Sequence, residues 1–160
     1  MTPEPTRPSE PSVRPATLDD VEFLSQTVYA TYLQDEPTMT PAEKDSWLDG
    51  YRSGTRDQAL GLVENSTTYV ICVGEERAGR LRVVRTPERV FLGGIQIHPA
   101  FQNRGIGTAV ITTLLDEASG KGVAVELQVN KDNGNAERLY VRLGFRRNGE
   151  LGEDYLMTTG

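Results

Sequence analysis

Between Phe91 and Ala118 the chain passes from one periodicity to another through a single glycine-bearing loop. The apolar run Phe91 to Ile97 reads as a β-strand, and the amphipathic run Thr108 to Ala118 reads as a helix. The loop that joins them contains Gln102-Asn103-Arg104-Gly105-Ile106-Gly107-Thr108. A helix entered in this way exposes the free N–H groups of its first turn, where the dipole places about half a positive charge. That terminus is suited to phosphate. Gly105 and Gly107 carry no side chain to hold a diphosphate off the backbone, and Arg104 adds a full charge. The expected ligand therefore contains a pyrophosphate. A dinucleotide fingerprint would need Gly-x-Gly-x-x-Gly or Ala, and Gly105-Ile106-Gly107-Thr108-Ala109-Val110 ends in Val. The unit also follows a hairpin, which does not suit a Rossmann fold. No P-loop signature is present.

The remaining elements follow from local signals. Residues 1–12, with Pro3, Pro5, Pro8 and Pro11 among polar residues, read as a flexible tail, and residues 13–160 as one domain. Ser12 to Ala16 reads as a short strand. Thr17-Leu18-Asp19-Asp20 is a capping box with Asp in the Glu position, opening a helix with Val21, Leu24, Val28 and Leu33 as its stripe. Gln34 to Thr40 is a loop, and Pro41 opens a second helix reaching about Val63, in one or two pieces because of Gly50 and Gly54. Thr67 to Val73 and Arg80 to Arg85 form a hairpin across residues 74–79. Arg89 to Ile97 follows as a strand, and Gly93-Gly94 within it signals a bulge. The helix from Thr108 ends near Gly120, and Val123, Val125, Leu127 and Val129 alternate as a strand. Asn133 to Leu143 is a short helix stopped by Gly144, and two strands, Phe145 to Asn148 and Asp154 to Thr158, complete the chain. Hairpins first and a β-α-β unit later give an α+β (mixed α/β) fold.

Composition narrows the function. A net charge of −6 argues against nucleic acid as the main partner and mildly favours a cationic substrate. No apolar run approaches the roughly 20 residues of a membrane span, and the N-terminus lacks the apolar core of a secretory signal. Cys72, the single cysteine, lies within Tyr69-Val70-Ile71-Cys72-Val73 and reads as a buried strand thiol. A cytoplasmic setting fits. One Cys and one His support no metal site.

Two motifs in order carry a specific resemblance. Gln102-Asn103-Arg104-Gly105-Ile106-Gly107 matches the pattern Gln/Arg-x-x-Gly-x-Gly/Ala, and Ile95-Gln96-Ile97-His98-Pro99 precedes it as a strand end. Asn133, Ala136, Leu139, Tyr140, Gly144 and Phe145 match Asn-x-x-Ala-x-x-Leu-Tyr-x-x-x-Gly-Phe. The chain thus resembles the GNAT superfamily of acetyl-CoA-dependent N-acetyltransferases from about Thr67 to Met157. The resemblance implies a central mixed, mostly antiparallel sheet split by a bulge and flanked by about four helices. It implies acetyl-CoA as cosubstrate, with CoA as product. The acceptor is then a small-molecule or peptide amine, acetylated directly in a ternary complex, and a homodimer is compatible with the family.

Residue roles come from the same resemblance. Ile95, Gln96 and Ile97 would line the pantetheine arm, and a backbone N–H near Ile97 would polarise the thioester carbonyl. Gln102 through Thr108 (Gln102, Asn103, Arg104, Gly105, Ile106, Gly107 and Thr108) would hold the pyrophosphate, with Asn133, Ala136 and Tyr140 also on the cofactor. Tyr140 is the expected general acid, since a phenol's ordinary pKa of about 10 is close to that of an alkyl thiol. By spacing alone Tyr140 reads first as an aromatic on an apolar helix face beside Leu139 and Leu143, and the match to the family's Tyr position reverses that order. Asn133 is also an ordinary helix N-cap. Glu126 is the nominal base, with Asp35 and Glu36 as alternatives, and each is otherwise a solvated carboxylate. Lys131, Arg138 and Arg142 are candidates for the nucleotide's 3′-phosphate. His98, beside Pro99, reads as structural. Tyr29, Tyr32, Trp47 and Tyr51 would divide between core and an acceptor pocket suited to a cationic amine. The other readings are a CoA-binding regulatory module on this fold and an acyltransferase for another acyl chain or acceptor.

Overall fold

A computed structural model describes residues 10–35 and 39–160, with the side chains of residues 33–35 also outside the description. The elements run β1 (Pro11–Pro15), α1 (Val21–Asp35), α2 (Pro41–Ala59), β2 (Ser66–Val73), β3 (Glu76–Arg85) and β4 (Arg89–Ile97). They continue with α3 (Ile106–Lys121), β5 (Ala124–Asn130), α4 (Gly134–Arg142), β6 (Arg146–Leu151) and β7 (Asp154–Thr158). Short 3-10 turns at Leu18–Asp20 and Pro99–Phe101 precede α1 and follow β4. One sheet holds the described strands in the order β1-β2-β3-β4-β5-β7-β6. Every pairing is antiparallel except β4 with β5. This is the α+β arrangement that the element order predicts.

Boundaries moved where turn chemistry won. The β2–β3 hairpin closes tightly at Gly74-Glu75, with Gly74 at φ 61°, so β3 begins at Glu76 and not at Arg80. Pro11, assigned by composition to the tail, pairs with Val73 and extends the strand expected from Ser12, which pairs with Cys72. α2 is continuous to Ala59 because Gly50 and Gly54 sit on its exposed face. α3 starts two residues earlier than expected, at Ile106.

The sheet carries a core on each face. Ile71, Leu81, Val83, Val90, Leu92, Val125, Leu127 and Met157 pack against Ile106, Val110, Ile111 and Leu114 of α3 and the apolar side of α4. Val70 and Cys72 pack against Ala16 and Leu24, with Phe23 alongside, under α1. Val21 and Leu24 of the predicted α1 stripe are buried and Val28 is half-buried, while the side chain of Leu33 lies outside the described residues. Arg85 clamps α3 to β3: its guanidinium donates to both carboxylate oxygens of Glu117 at 2.7 and 2.9 Å and to the Tyr69 hydroxyl at 2.7 Å. That clamp fixes where the first turn of α3 points.

Gly93 is the extra residue of a bulge, since Arg82 pairs with Gly94 and Val83 pairs with Leu92. β4 pairs with β5 only over Arg89–Leu92, against Ala124–Leu127. Past the bulge, Gln128, Val129 and Asn130 of β5 pair with β7 alone. The sheet is therefore split between the C-terminal halves of β4 and β5.

Asp20 organises the start of α1. It is 1 % exposed, accepts from Arg14 at 2.7 and 2.9 Å, and accepts from the Thr17 amide at 2.8 Å. Arg77 adds a longer contact at 3.4 Å. The Arg14 hydrogen bonds above all hold the Asp20 carboxyl well below the ordinary carboxylate range. Asp20→Asn is expected to cost about 2–3 kcal/mol, less than a wholly buried pair because both arginines are partly exposed. A carboxyl with a depressed folded pKa contributes stability above its unfolded pKa of about 3.9 and loses it as pH falls toward the folded value. Urea unfolding should show a constant gap between wild type and Asp20→Asn from neutral pH to about pH 5, narrowing below about pH 4.

Candidate active site at the split sheet

The split opens a groove of about 770 Å³. Its floor is Ile95, Gln96 and Ile97 of β4. One wall is Gln102, Asn103 and the first turn of α3, the second is Asn133, Ala136 and Leu139 of α4, and the third is Val28, Thr31 and Tyr32 of α1. A smaller pocket of about 440 Å³ lies on the α3 side of β1 to β3, away from the split.

Backbone direction follows from one hydrogen bond. The His98 amide donates to the Ala78 carbonyl on β3 at 2.8 Å. Alternation along a strand then turns the polar groups of Gln96 toward β3 and those of Ile95 and Ile97 toward the opening. A Cβ at Gly79 would collide with the Gln96 carbonyl oxygen, which confirms that direction. The Gln102 side chain donates to the Ile97 carbonyl at 3.0 Å and ties the loop to the strand end. The N–H of Ile97 and the polar groups of Ile95 point into the slot that β5 leaves.

The N-terminus of α3 is built for an anion. Its N-cap is Gly105, at φ 76°, and no side chain caps it. Asn103 also adopts a left-handed conformation, φ 65°, which Asn tolerates better than most residues. The amides of Ile106, Gly107 and Thr108 therefore open into the groove that these residues line. Gly107 is instructive. It has ordinary helical geometry, and a Cβ there would meet nothing within 4 Å. The fold does not require a glycine at this position, and a helical Gly costs about 1 kcal/mol relative to Ala. A ligand pressed against the backbone does require one.

Asn133 caps α4 by accepting from the Ala136 amide at 3.2 Å, and its side-chain NH2 has no partner among the described residues. Arg142 lines the groove without an ion pair to a described residue. Lys131 is engaged by Glu150 at 3.0 Å, and Arg138 by Asn135. Arg104 is exposed and lies over the Phe101 ring, 5.3 Å from its centroid.

Tyr140 stands behind the α4 wall. Its ring meets Phe145 edge-on at 5.7 Å, and its hydroxyl makes no hydrogen bond to a described residue. Burial raises its pKa, so the phenol holds its proton at neutral pH. Glu126 lies on the paired half of β5, outside the groove, with its carboxylate bound by Arg89. Asp35 ends α1 with its side chain undescribed, and Glu36 lies outside the described residues. His98 caps the turn after β4, its Nδ1 accepting from the Ala100 amide at 3.1 Å, and stacks on Phe23. Cys72 is buried.

Of the four aromatic residues on α1 and α2, only Tyr29 is buried; Trp47 and Tyr51 are half-buried and Tyr32 is exposed. Tyr32 lines the groove. Trp47 sits among the other three, 5.6 Å from Tyr29, 5.8 Å from Tyr32 and 5.1 Å from Tyr51. Arg80 and Arg82 were not singled out by sequence reasoning. Both lie on the α1–α2 face of β3, opposite Gln96 and Gly94. The available signal was two arginines at alternate positions in a strand whose other face, Leu81 and Val83, is apolar.

Comparison with known proteins agrees with this geometry. Over 73 residues the chain is 42 % identical to the N-alpha-acetyltransferase RimI of Mycobacterium tuberculosis, covering 45 % of each chain. Over 76 residues it is 32 % identical to the L-2,4-diaminobutyric acid acetyltransferase of Nocardia farcinica, covering 47 % of this chain and 39 % of that one. The matched stretch thus spans less than half the length of either relative. The fold superimposes on the PaiA N-acetyltransferase of Thermoplasma acidophilum, solved in complex with coenzyme A, with a TM-score of 0.77 at 15 % identity, covering 93 % of this chain and 98 % of that one. Residues 27–145 match the profile of the Acetyltransferase (GNAT) family, and the chain belongs to that family.

Proposed function

We propose that the protein is an N-acetyltransferase that moves the acetyl group of acetyl-CoA to a primary amine by direct transfer in a ternary complex. The observation that carries this reading is the continuity of the groove. One cavity is lined both by the amide-rich first turn of α3 and, through the split, by Val28, Thr31 and Tyr32 of α1. Donor and acceptor can meet there without a covalent enzyme intermediate. The names of the two relatives, one for α-amine acetylation and one for an amino acid, support an amine acceptor.

The residues present fit acetyl-CoA. The bare face of Gly107 and the uncapped amides of α3 suit its pyrophosphate, Asn133 its pantetheine amides, and Arg142 its 3′-phosphate. When bound, acetyl-CoA supplies an acyl group activated as a thioester. The Ile97 N–H donates to the oxygen of that carbonyl, where negative charge grows as the amine adds. Tyr140, a phenol protonated at neutral pH on the helix that presents Ala136 and Leu139 to the groove, supplies the proton that the departing sulfur needs by turning its ring from Phe145 toward the groove. None of the described residues lining the groove is a carboxylate. With the Asp35 side chain and Glu36 outside that description, the amine loses its proton to one of them or to water, or arrives neutral. The C–N bond forms as the C–S bond breaks, and the products are an amide and a free thiol.

Two variants test this reading. Gly107→Ala should fold with an unchanged or slightly raised Tm, yet bind CoA at least about tenfold more weakly in titration calorimetry, because the new methyl occupies ligand space. Unchanged CoA affinity would remove the phosphate role from this turn. Tyr140→Phe should lower kcat by about 100-fold while leaving the KM for acetyl-CoA nearly unchanged. Full turnover in Tyr140→Phe would show that another group protonates the thiol.

A further inference from the structure

Two charged side chains are buried among the described residues, Asp20 and Arg80. Asp20 has two arginine partners. Arg80, 7 % exposed, has no carboxylate partner among the described residues. Its Nη1 donates to the neutral Gln96 Oε1 at 2.9 Å, and its Nε has no partner among the described residues. The charge nearest along the same face is another cation, Arg82, whose Nε donates to the Ser66 hydroxyl at 3.1 Å. Burial and the proximity of Arg82 both work against the charge on Arg80. A guanidinium stays protonated regardless.

The fold makes deliberate room for this pair. A Cβ at Gly94 would lie 2.8 Å from Arg80 Nη1, and one at Gly93 would lie 2.7 Å from Arg82 Nη1. The glycines at the bulge therefore also leave room for two guanidinium groups over β4. Arg80 does not itself line the groove, but two of its neighbours connect it to the lining. Gln96, which it holds, lines the groove. Tyr51, whose ring centre lies 5.7 Å from its guanidinium, leads through Trp47 to Tyr32 on the groove wall.

A buried, unpaired charge is costly, and a protein that keeps one gains when a ligand supplies the counter-ion. We propose that the acceptor amine carries a carboxylate and that Arg80 binds it. The favoured acceptors are then amino acids and similar aminocarboxylates, and amines without an anionic group are poor substrates. This rests on the acetyltransferase reading of the same groove. The partnerless Nε and the adjacent Nη2, on the side of the guanidinium away from the Nη1 that holds Gln96, form the planar fork that matches a carboxylate in bidentate fashion. Arg82 deepens the local positive potential. The protein's negative net charge acts at long range and is screened, so the buried Arg80, with the half-buried Arg82 beside it, decides specificity at contact.

The test compares 2,4-diaminobutyrate, β-alanine and γ-aminobutyrate with their carboxamides. It reads free-thiol release with acetyl-CoA and thermal shift in CoA-loaded protein. At least one carboxylate should exceed its carboxamide in kcat/KM by about 10- to 100-fold. It should also raise the Tm of CoA-loaded protein where the carboxamide does not. In Arg80→Met that preference and that shift should vanish while the CoA-induced Tm rise persists. Equal handling of acids and carboxamides by the wild type overturns the proposal without any variant. A preference that survives in Arg80→Met, or a lowered ligand-free Tm with an unmoved acid-to-amide ratio, also overturns it. Absence of any CoA-induced shift would overturn the acetyltransferase reading itself. A CoA-induced shift with parity between acids and amides overturns only the role of Arg80.

Discussion

The bulge at Gly93 is the constraint on which the rest of the structure depends. One extra residue against Arg82–Val83 turns β4 away from β5 after four paired residues. Were the ladder to continue, β5 would consume the polar groups of Ile95 and Ile97, and the slot would close. The bulge also keeps the faces of β4 in order: Leu92 and then Ile95 and Ile97 pack on the α3–α4 side, while Gly94 and Gln96 pair opposite Arg82 and Arg80. A backbone irregularity of one residue thereby separates the α3–α4 face of β4 from its α1–α2 face and leaves a passage between them.

The two buried charges illustrate different uses of the same physics. Asp20 is enclosed with the donors it needs and anchors the start of α1, whose later turns present Val28, Thr31 and Tyr32 to the groove. Arg80 is enclosed without them. A satisfied buried ion is part of the framework, and an unsatisfied one stores free energy that a ligand of opposite charge releases. Glycine shows the same contrast. Gly105 answers to the chain's own geometry, whereas the absent side chain of Gly107 answers to nothing in the protein.

Much of this was readable in the residues. The loop from Gln102 to Thr108, the Gly93-Gly94 bulge and the Asn133 cap are local features, and local features survive folding. The sorting of side chains between faces was not readable. Two bulges, one near Ala78 in β3 and one at Gly93 in β4, reset the alternation, so the positions of Arg80 and Arg82 depend on a register that periodicity alone does not specify. Glu126 looked available because its partner, Arg89, is distant in sequence and comes near only through the parallel pairing of β4 with β5. Tyr140 matches its motif, yet its ring backs the groove wall against Phe145, because the roll of α4 is set by tertiary packing that the motif does not encode.

The central claim is that CoA completes the split sheet along β4 and caps α3. Residue-resolved amide hydrogen exchange with and without CoA tests it most directly. The account predicts new protection at Ile95, Ile97, Ile106, Gly107 and Thr108, with little change at Gln96, whose polar groups already face β3. Unchanged exchange at Ile95 and Ile97, or protection confined to the smaller pocket beside β1, would contradict it.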